Sequence, residues 1–397
     1  MDKKMPTILV IFGITGDLAQ RYLLSAIEKI AKAKMLPDKF EVVGVTRQKH
    51  PNLYQMDLTD KKDYEKLNDY LIEIEKKFKE PAQRLFYLVV PPNACKNIIT
   101  LIGRSSLIKH KNNKILLEKP FGADLKSAKD LIKHTDKYFN SKDTYRIDHY
   151  LAKNAAKQII LLRSQKSFKN TWNKDFIENI EILASEKIGI EGRVHFYEQT
   201  GALRDFIQSH LLELLALVLM KLPIEKNLKR KVKNVPLLRY RALKNLDIVC
   251  DITNNECVKR AQYEGYREEV GNPNTMTETF VSLKLSSSDK RWKGVPITLI
   301  TGKNLKEKFT KIKIKYKGEI IDFDFKDKEN VLGAYEQVLL GAINGDHNFF
   351  TSSREVIESW RILEDVQNSW RKSENDLVIY KKGNTIDEVL NNNEKSI

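Results

Sequence analysis

A glycine pair at the end of an apolar run is the first place where this chain could do chemistry. Thr7 to Phe12 (TILVIF) leads directly into Gly13-Ile14-Thr15-Gly16-Asp17-Leu18. Glycines at a strand-to-helix turn let backbone amides approach a pyrophosphate, and the helix N-terminus adds partial positive charge. The pattern is G-x-x-G, short of G-x-G-x-x-G, and an ordinary βα turn capped by Thr15 or Asp17 reads the same. Its place after the first strand favours a nucleotide. A second apolar run, Phe40 to Val45, is followed by Thr46-Arg47-Gln48. An NAD site carries a carboxylate there for the ribose hydroxyls, whereas arginine pairs with the 2′-phosphate of NADP. A solvated arginine is the bland alternative, and position favours NADP.

Among the seven histidines, His149 stands in RIDHYLAK (146–153) and His210 in QSHLLELL (208–215). By residue type alone, a lone histidine on an apolar helix such as His210 is a structural residue. Lys153 and Lys308 are, by the same standard, two of many surface lysines.

The elements that must position these residues change character along the chain. In the first half, strands at 7–12, 40–45, 84–90, 113–120 and 145–150 alternate with helical stretches at 17–35, 60–79, 93–103 and 124–139. Continuous apolar strands alternating with helices predict a doubly wound, Rossmann-type α/β domain over 5–158. Beyond it, strands at 179–184, 277–285, 296–301 and 310–325 and helices at 203–220, 330–344 and 353–372 come in blocks. That arrangement predicts an α+β domain over 159–390 with a mainly antiparallel sheet, ending in a frayed tail, EVLNNNEKSI.

Composition narrows the partners. Hydrophobic residues at 41% exclude a mainly disordered chain, and 17 glycines exclude a collagen-like one. A net charge of +16 favours an anionic partner. No basic block with interleaved aromatics is present, so no nucleic-acid partner is expected. The longest apolar run, Leu214 to Met220, is too short to span a membrane, and MDKKMPTILVIFG carries no h-region. A cytoplasmic location is the default. Cys95, Cys250 and Cys257 are too few and too irregularly spaced for a disulfide framework or zinc site, and no metal is expected.

In order along the chain, GITGDLAQRYL (13–23), RLFYLVVPP (84–92), EKPFGADLKSA (118–128), RIDHYLAK (146–153), the long segment at 191–223, QYEGYREE (262–269), RWKGVPITLITGK (291–303) and AYEQVLLGAINGD (334–346) resemble the signature segments of the glucose-6-phosphate dehydrogenase family. The resemblance covers nearly the whole chain. It implies oxidation of glucose 6-phosphate at the anomeric carbon with reduction of NADP, the opening step of the pentose phosphate pathway, with NAD as a further cofactor left open. It implies His210 as the base for the anomeric hydroxyl and Asp148 as the carboxylate that orients it, roles that suit an imidazole and its partner. For the substrate phosphate it implies His149, Tyr150, Lys153 and Lys308, the helical spacing of 149, 150 and 153 placing them on one turn. For the sugar hydroxyls it implies Glu186, Asp205 and Lys303. Lys119, before Pro120, would sit between nicotinamide and the reacting hydroxyl, with a cis bond tolerated there. Gly13, Thr15, Gly16, Asp17, Leu18, Arg47, Gln48 and Lys119 would meet the cofactor. A paralogue for another sugar phosphate and a non-catalytic nucleotide-binding regulator are the alternatives.

Three departures stand out. Gln20 and Tyr22 occupy positions where the family's first turn has lysines, and Ala152 and Asn154 alter the end of RIDHYLGKE. The interval from Phe309 to Leu332 is too short to hold the family's additional strands. A reduced sheet in the second domain and no structural NADP are therefore expected, and the assembly should be a monomer or a non-standard homodimer. Lys311 to Lys317 alternates lysine with apolar residues, as a lysine-guarded edge strand or an ordinary half-exposed strand would.

Overall fold

The computed structural model describes residues 4–223, 234–249, 257–326, 331–373 and 376–392. Cys250 and the last part of the expected tail lie outside them. Contacts divide the chain into two units, neither contiguous: Met1–Gly122, Lys126–Ala152 and Asn330–Ser353 form the first, and Ala123–Leu125, Lys153–Glu329 and Arg354–Ile397 the second.

Strands are numbered along the chain. The first unit holds β1 (Thr7–Phe12), β2 (Phe40–Thr46), β3 (Tyr54–Gln55), β4 (Gln83–Leu88), β5 (Asn113–Glu118), β6 (Thr144–Ile147) and β14 (Phe350–Thr351). They lie in the order β14-β6-β5-β4-β1-β2-β3. Apart from the short antiparallel β14, neighbours are parallel, and 3-2-1-4-5-6 is the Rossmann order. All six residues of β1 and of β4 are buried, which is why these strands read as continuous apolar runs. Helix Ala334–Asn344 returns to this unit, adding Val338, Leu339 and Ile343 to the core of Leu9, Ile11, Leu85 and Leu116. Gln83 Nε2 donates to the Ile343 carbonyl at 2.9 Å and Lys114 Nζ to that of Ala342 at 2.6 Å.

The second unit holds β7 (Ile177–Ser185), β8 (Leu246–Ile248), β9 (Val258–Tyr263), β10 (Phe280–Ser287), β11 (Ile297–Gly302), β12 (Phe309–Tyr316), β13 (Glu319–Asp324) and β15 (Leu377–Tyr380). The order is β13-β12-β7-β11-β10-β9-β15, with β8 on β10. The β7–β11 and β9–β15 pairs are parallel and the other five antiparallel.

Four expectations are corrected. The segment at 310–325 is a hairpin, so the lysine-alternating β12 is an interior strand between β7 and β13, and β13 is the edge. Its lysines meet acidic neighbours instead of guarding an edge, Lys315 reaching Glu178 at 2.7 Å and Lys311 reaching Asp322 at 3.8 Å. The helices expected at 17–35 and 203–220 each begin with a π-helical stretch, Ala19–Leu23 and Leu203–Leu211. The tail at 388–397 begins inside a helix, Ile386–Asn392. Cys257 is disulfide-bonded, a bond its spacing did not suggest, whereas Cys95 is a free thiol that burial pushes up to about 12.

Candidate active site

In the first unit, the turn after β1 is shaped by one contact. Gly13 has φ +86°, and a Cβ there would lie 2.1 Å from the Val89 carbonyl oxygen beyond β4. Only glycine fits both demands. The Gly16 amide closes the turn onto the Gly13 carbonyl at 2.9 Å, and Gln20 Nε2 donates to the Ile14 carbonyl at 2.9 Å. A neutral amide thus braces the loop. Thr15 and Asp17 are exposed and Gly16 and Leu18 half-buried. Asp17 pairs with Arg21 at 2.6 Å, but both are mostly exposed, so the pair contributes little. Arg47 and Gln48 follow β2 and are exposed, the Gln48 amide donating to Thr46 Oγ1 at 3.2 Å. No ion pair holds the Arg47 guanidinium among the described residues.

Lys119 follows β5, and the Lys119–Pro120 bond is cis. Asp148, buried just past β6, accepts the Tyr150 amide on Oδ1 at 2.9 Å, and its carbonyl accepts the Leu151 amide at 3.1 Å. These bonds make a tight turn of 148–151, so His149, Tyr150 and Lys153 come from a turn ahead of helix Asn154–Ser164 and not from one helical turn as expected. The competing side-chain-to-backbone bond from Asp148 is the reason. Tyr22, 52% exposed, stacks on Tyr335 at 5.6 Å and 18°, and Tyr335 stacks on His149 at 6.1 Å and 13°. An aromatic column thus flanks the His149 ring at the point where Tyr22 has replaced a lysine.

Sequence reasoning missed Glu118. Burial pushes its carboxyl up to about 7; the 2.5 Å hydrogen bond from the Tyr87 hydroxyl and the charge of Lys119 oppose the shift, and Asp148 adds to it. The only signal was its place beside Lys119.

In the second unit, the parallel register pairs Gly302 with Ser185, so the next residues, Lys303 and Glu186, emerge together at the ends of β11 and β7. Lys303 is 2% exposed, and its Nζ forms an ion pair with Glu186 Oε2. The π-helical stretch carries Asp205 and the buried His210, whose ring meets Phe206 edge-on at 5.3 Å. In an α-helix, residues five apart diverge by about 140°. The i→i+5 winding instead brings position 210 round to the face of Asp205. Three residues on, Glu213 meets the fully buried Arg239 at 3.3 Å, which also bonds Glu355 at 2.5 Å, pinning the helix that holds His210. Lys153 Nζ donates to the Phe325 carbonyl at 3.2 Å, and the Phe325 amide bonds Thr310 at 2.9 Å, two residues past the exposed Lys308.

The model of the glucose-6-phosphate dehydrogenase NAD-binding domain matches residues 10–54 and 49–158, and that of the family's C-terminal domain matches 160–329 and 318–393. The chain belongs to the glucose-6-phosphate dehydrogenase family. It is 29% identical to the glucose-6-phosphate 1-dehydrogenase of Chlamydia muridarum, covering 92% of this chain and 91% of that one. It is 30% identical to that of Borreliella burgdorferi, covering 91% of each. The first alignment runs over 460 positions, more than the 397 residues of this chain, so the relative has segments that this family member lacks. Among solved structures, the Mycobacterium avium glucose-6-phosphate 1-dehydrogenase aligns at a TM-score of 0.77 and 25% identity over 96% of this chain and 95% of that one. A glucose-6-phosphate dehydrogenase in complex with glucose 6-phosphate shares the fold at a TM-score of 0.85 and 22% identity, covering 100% and 99%.

Glu118 supplies a pH-dependence test. An unfolded glutamate ionises near 4.5, while the folded chain keeps this proton up to about 7. Folding therefore takes up a proton in that window, and stability falls as pH rises through it, by up to about 1.4 kcal/mol per pH unit. Urea unfolding of Glu118→Gln should lack this component, so the stability of the parent relative to the variant drops between pH 5 and pH 8. A constant difference across that range would show that Glu118 titrates normally.

Proposed function

We propose that this chain oxidises glucose 6-phosphate at its anomeric carbon to 6-phosphogluconolactone, with NADP as oxidant. The observation that carries this reading is the match of both family domains, together spanning residues 10–393. The glycine turn suits a dinucleotide: Gly13 and Gly16 leave backbone amides unshielded, and the guanidinium of Arg47 stands ready for a 2′-phosphate. Bound NADP supplies the hydride acceptor. Lys119 lies between the cofactor and the reacting hydroxyl in this reading.

His210 takes the proton of the anomeric hydroxyl onto its imidazole as the C1 hydride departs, leaving the lactone carbonyl. Asp148 fixes the tautomer and steadies the imidazolium. Glu186, Lys303 and Asp205 bind sugar hydroxyls. The Glu186–Lys303 pair is suited to this because its charges cancel while both groups keep free lone pairs or protons. His149, Tyr150, Lys153 and Lys308 bind the phosphate. The retained phosphate set favours a sugar phosphate over a free sugar, and retention of His210 and Asp148 favours an enzyme over a non-catalytic nucleotide binder. Among the described residues no helix is long and apolar enough to cross a membrane.

Two measurements test this reading. His210→Asn should lower kcat about 10²–10⁴-fold with little change in the KM for glucose 6-phosphate, followed by NADPH absorbance. Parent-like turnover would remove His210 from the mechanism. Arg47→Ala should raise the KM for NADP by roughly one to two powers of ten and leave that for NAD nearly unchanged. Equal losses with both cofactors would place Arg47 against a shared part of the nucleotide.

Assembly follows from the sheet edge. β13 carries Glu319, Asp322 and Asp324, charges that oppose edge-to-edge pairing. The expected state is a monomer, or a homodimer that does not use a full sheet interface. Sedimentation velocity across a concentration series checks it, and a tight dimer joined through β13 would contradict it.

A further inference from the structure

Four tyrosines, Tyr197, Tyr263, Tyr266 and Tyr380, lie buried in one core cluster of the second unit. Three of their hydroxyls are bonded. Tyr263 donates to Glu269 Oε2 at 2.7 Å, Tyr266 to Glu198 Oε1 at 2.7 Å, and Tyr380 to the Lys303 carbonyl at 2.5 Å. The hydroxyl of Tyr197 is buried and has no hydrogen-bond partner among the described residues. Buried hydroxyls are rarely left in that state, because the group has given up water and gained nothing.

Its surroundings say what it is held for. Tyr197 sits in helix Val194–Ala202 at 1% exposure, its ring edge-on to Tyr266 at 6.2 Å. Lys303 Nζ lies 5.2 Å from the ring centroid, and that ammonium is the one paired with Glu186. Burial, then the nearby carboxylates of Asp205, Glu278 and Glu186, hold the phenol well above its usual pKa, so it stays a proton donor. A donor without an acceptor stands beside the side chains assigned to the sugar hydroxyls, and nothing in the sequence motif singled it out.

We infer that Tyr197 is a further substrate-binding residue, its hydroxyl donating a hydrogen bond to one ring hydroxyl of the sugar phosphate. This inference rests on the assignment of Glu186, Asp205 and Lys303 to the sugar. The bond is made only when substrate is present, so its free-state cost is a preorganised donor, and its gain is discrimination against sugars lacking that hydroxyl.

Tyr197→Phe removes only the oxygen. The variant should unfold at the same or a higher temperature than the parent, because a buried unpaired group has gone. Its kcat/KM for glucose 6-phosphate should fall about tenfold, with the KM for NADP unchanged. Against a panel of 2-, 3- and 4-deoxyglucose 6-phosphate, parent and variant should become equal on one analogue. A kcat/KM within twofold of the parent overturns the proposal, as does a lowered unfolding temperature with equal losses on every analogue, the signature of a buried structural water. Asp205→Asn runs in parallel. If it weakens glucose 6-phosphate while Tyr197→Phe does not, the Tyr197 assignment alone falls. If neither changes, the sugar site itself is misplaced and the proposal falls with it.

Discussion

The parallel pairing of β7 with β11 is the constraint on which the second unit's chemistry depends. Because Gly302 stands opposite Ser185, a lysine and a glutamate 117 residues apart leave the sheet at the same point. A lysine at 2% exposure is tolerable only with its counter-charge in place, since desolvating an unpaired ammonium costs several kcal/mol. The surrounding framework serves that pairing. The Glu186 amide bonds the Gly302 carbonyl at 2.9 Å, the Leu305 amide returns to the Glu186 carbonyl at 3.0 Å, and Tyr380 from β15 holds the Lys303 carbonyl. A slip of one residue in this register would turn one of the two side chains to the opposite face and break the pair.

Much of the architecture was legible because burial on both faces leaves a plain mark in sequence. TILVIF and RLFYLVV could hardly be anything but central strands, and their order along the chain forces a doubly wound sheet. The π-helical stretches were not legible, because apolar periodicity over so few residues does not separate i→i+4 from i→i+5 winding. The interior position of β12 was hidden for a related reason: lysine alternating with isoleucine suits an edge, but equally suits an interior strand whose neighbours supply Glu178 and Asp322.

The site divides along the same line. Asp148, His149, Lys303 and His210 were singled out because they lie in segments that resemble the family's, and Glu186 because it lies just outside one. Glu118 and Tyr197 do not announce themselves, since a raised carboxyl or an unbonded phenol is made by surroundings that only the folded chain assembles. Tyr22 is intermediate. Its departure from a lysine was visible, but that its ring would stack on Tyr335, more than three hundred residues away, was not.

Helix Ala334–Asn344 has a consequence for how the protein is made. Strands β1 to β6 of the Rossmann-type sheet all precede residue 148, yet the helix that supplies Val338, Leu339 and Ile343 to its core is translated long after them. Until then the apolar surface around Leu9, Ile11 and Leu85 lacks its final cover, and Gln83 has no Ile343 carbonyl to bond. The nascent first unit therefore keeps an incompletely covered apolar surface until residue 344 has been made, an exposure of the kind that favours aggregation. A gene fragment ending near residue 158, however natural a cut it looks on paper, encodes an unfinished core.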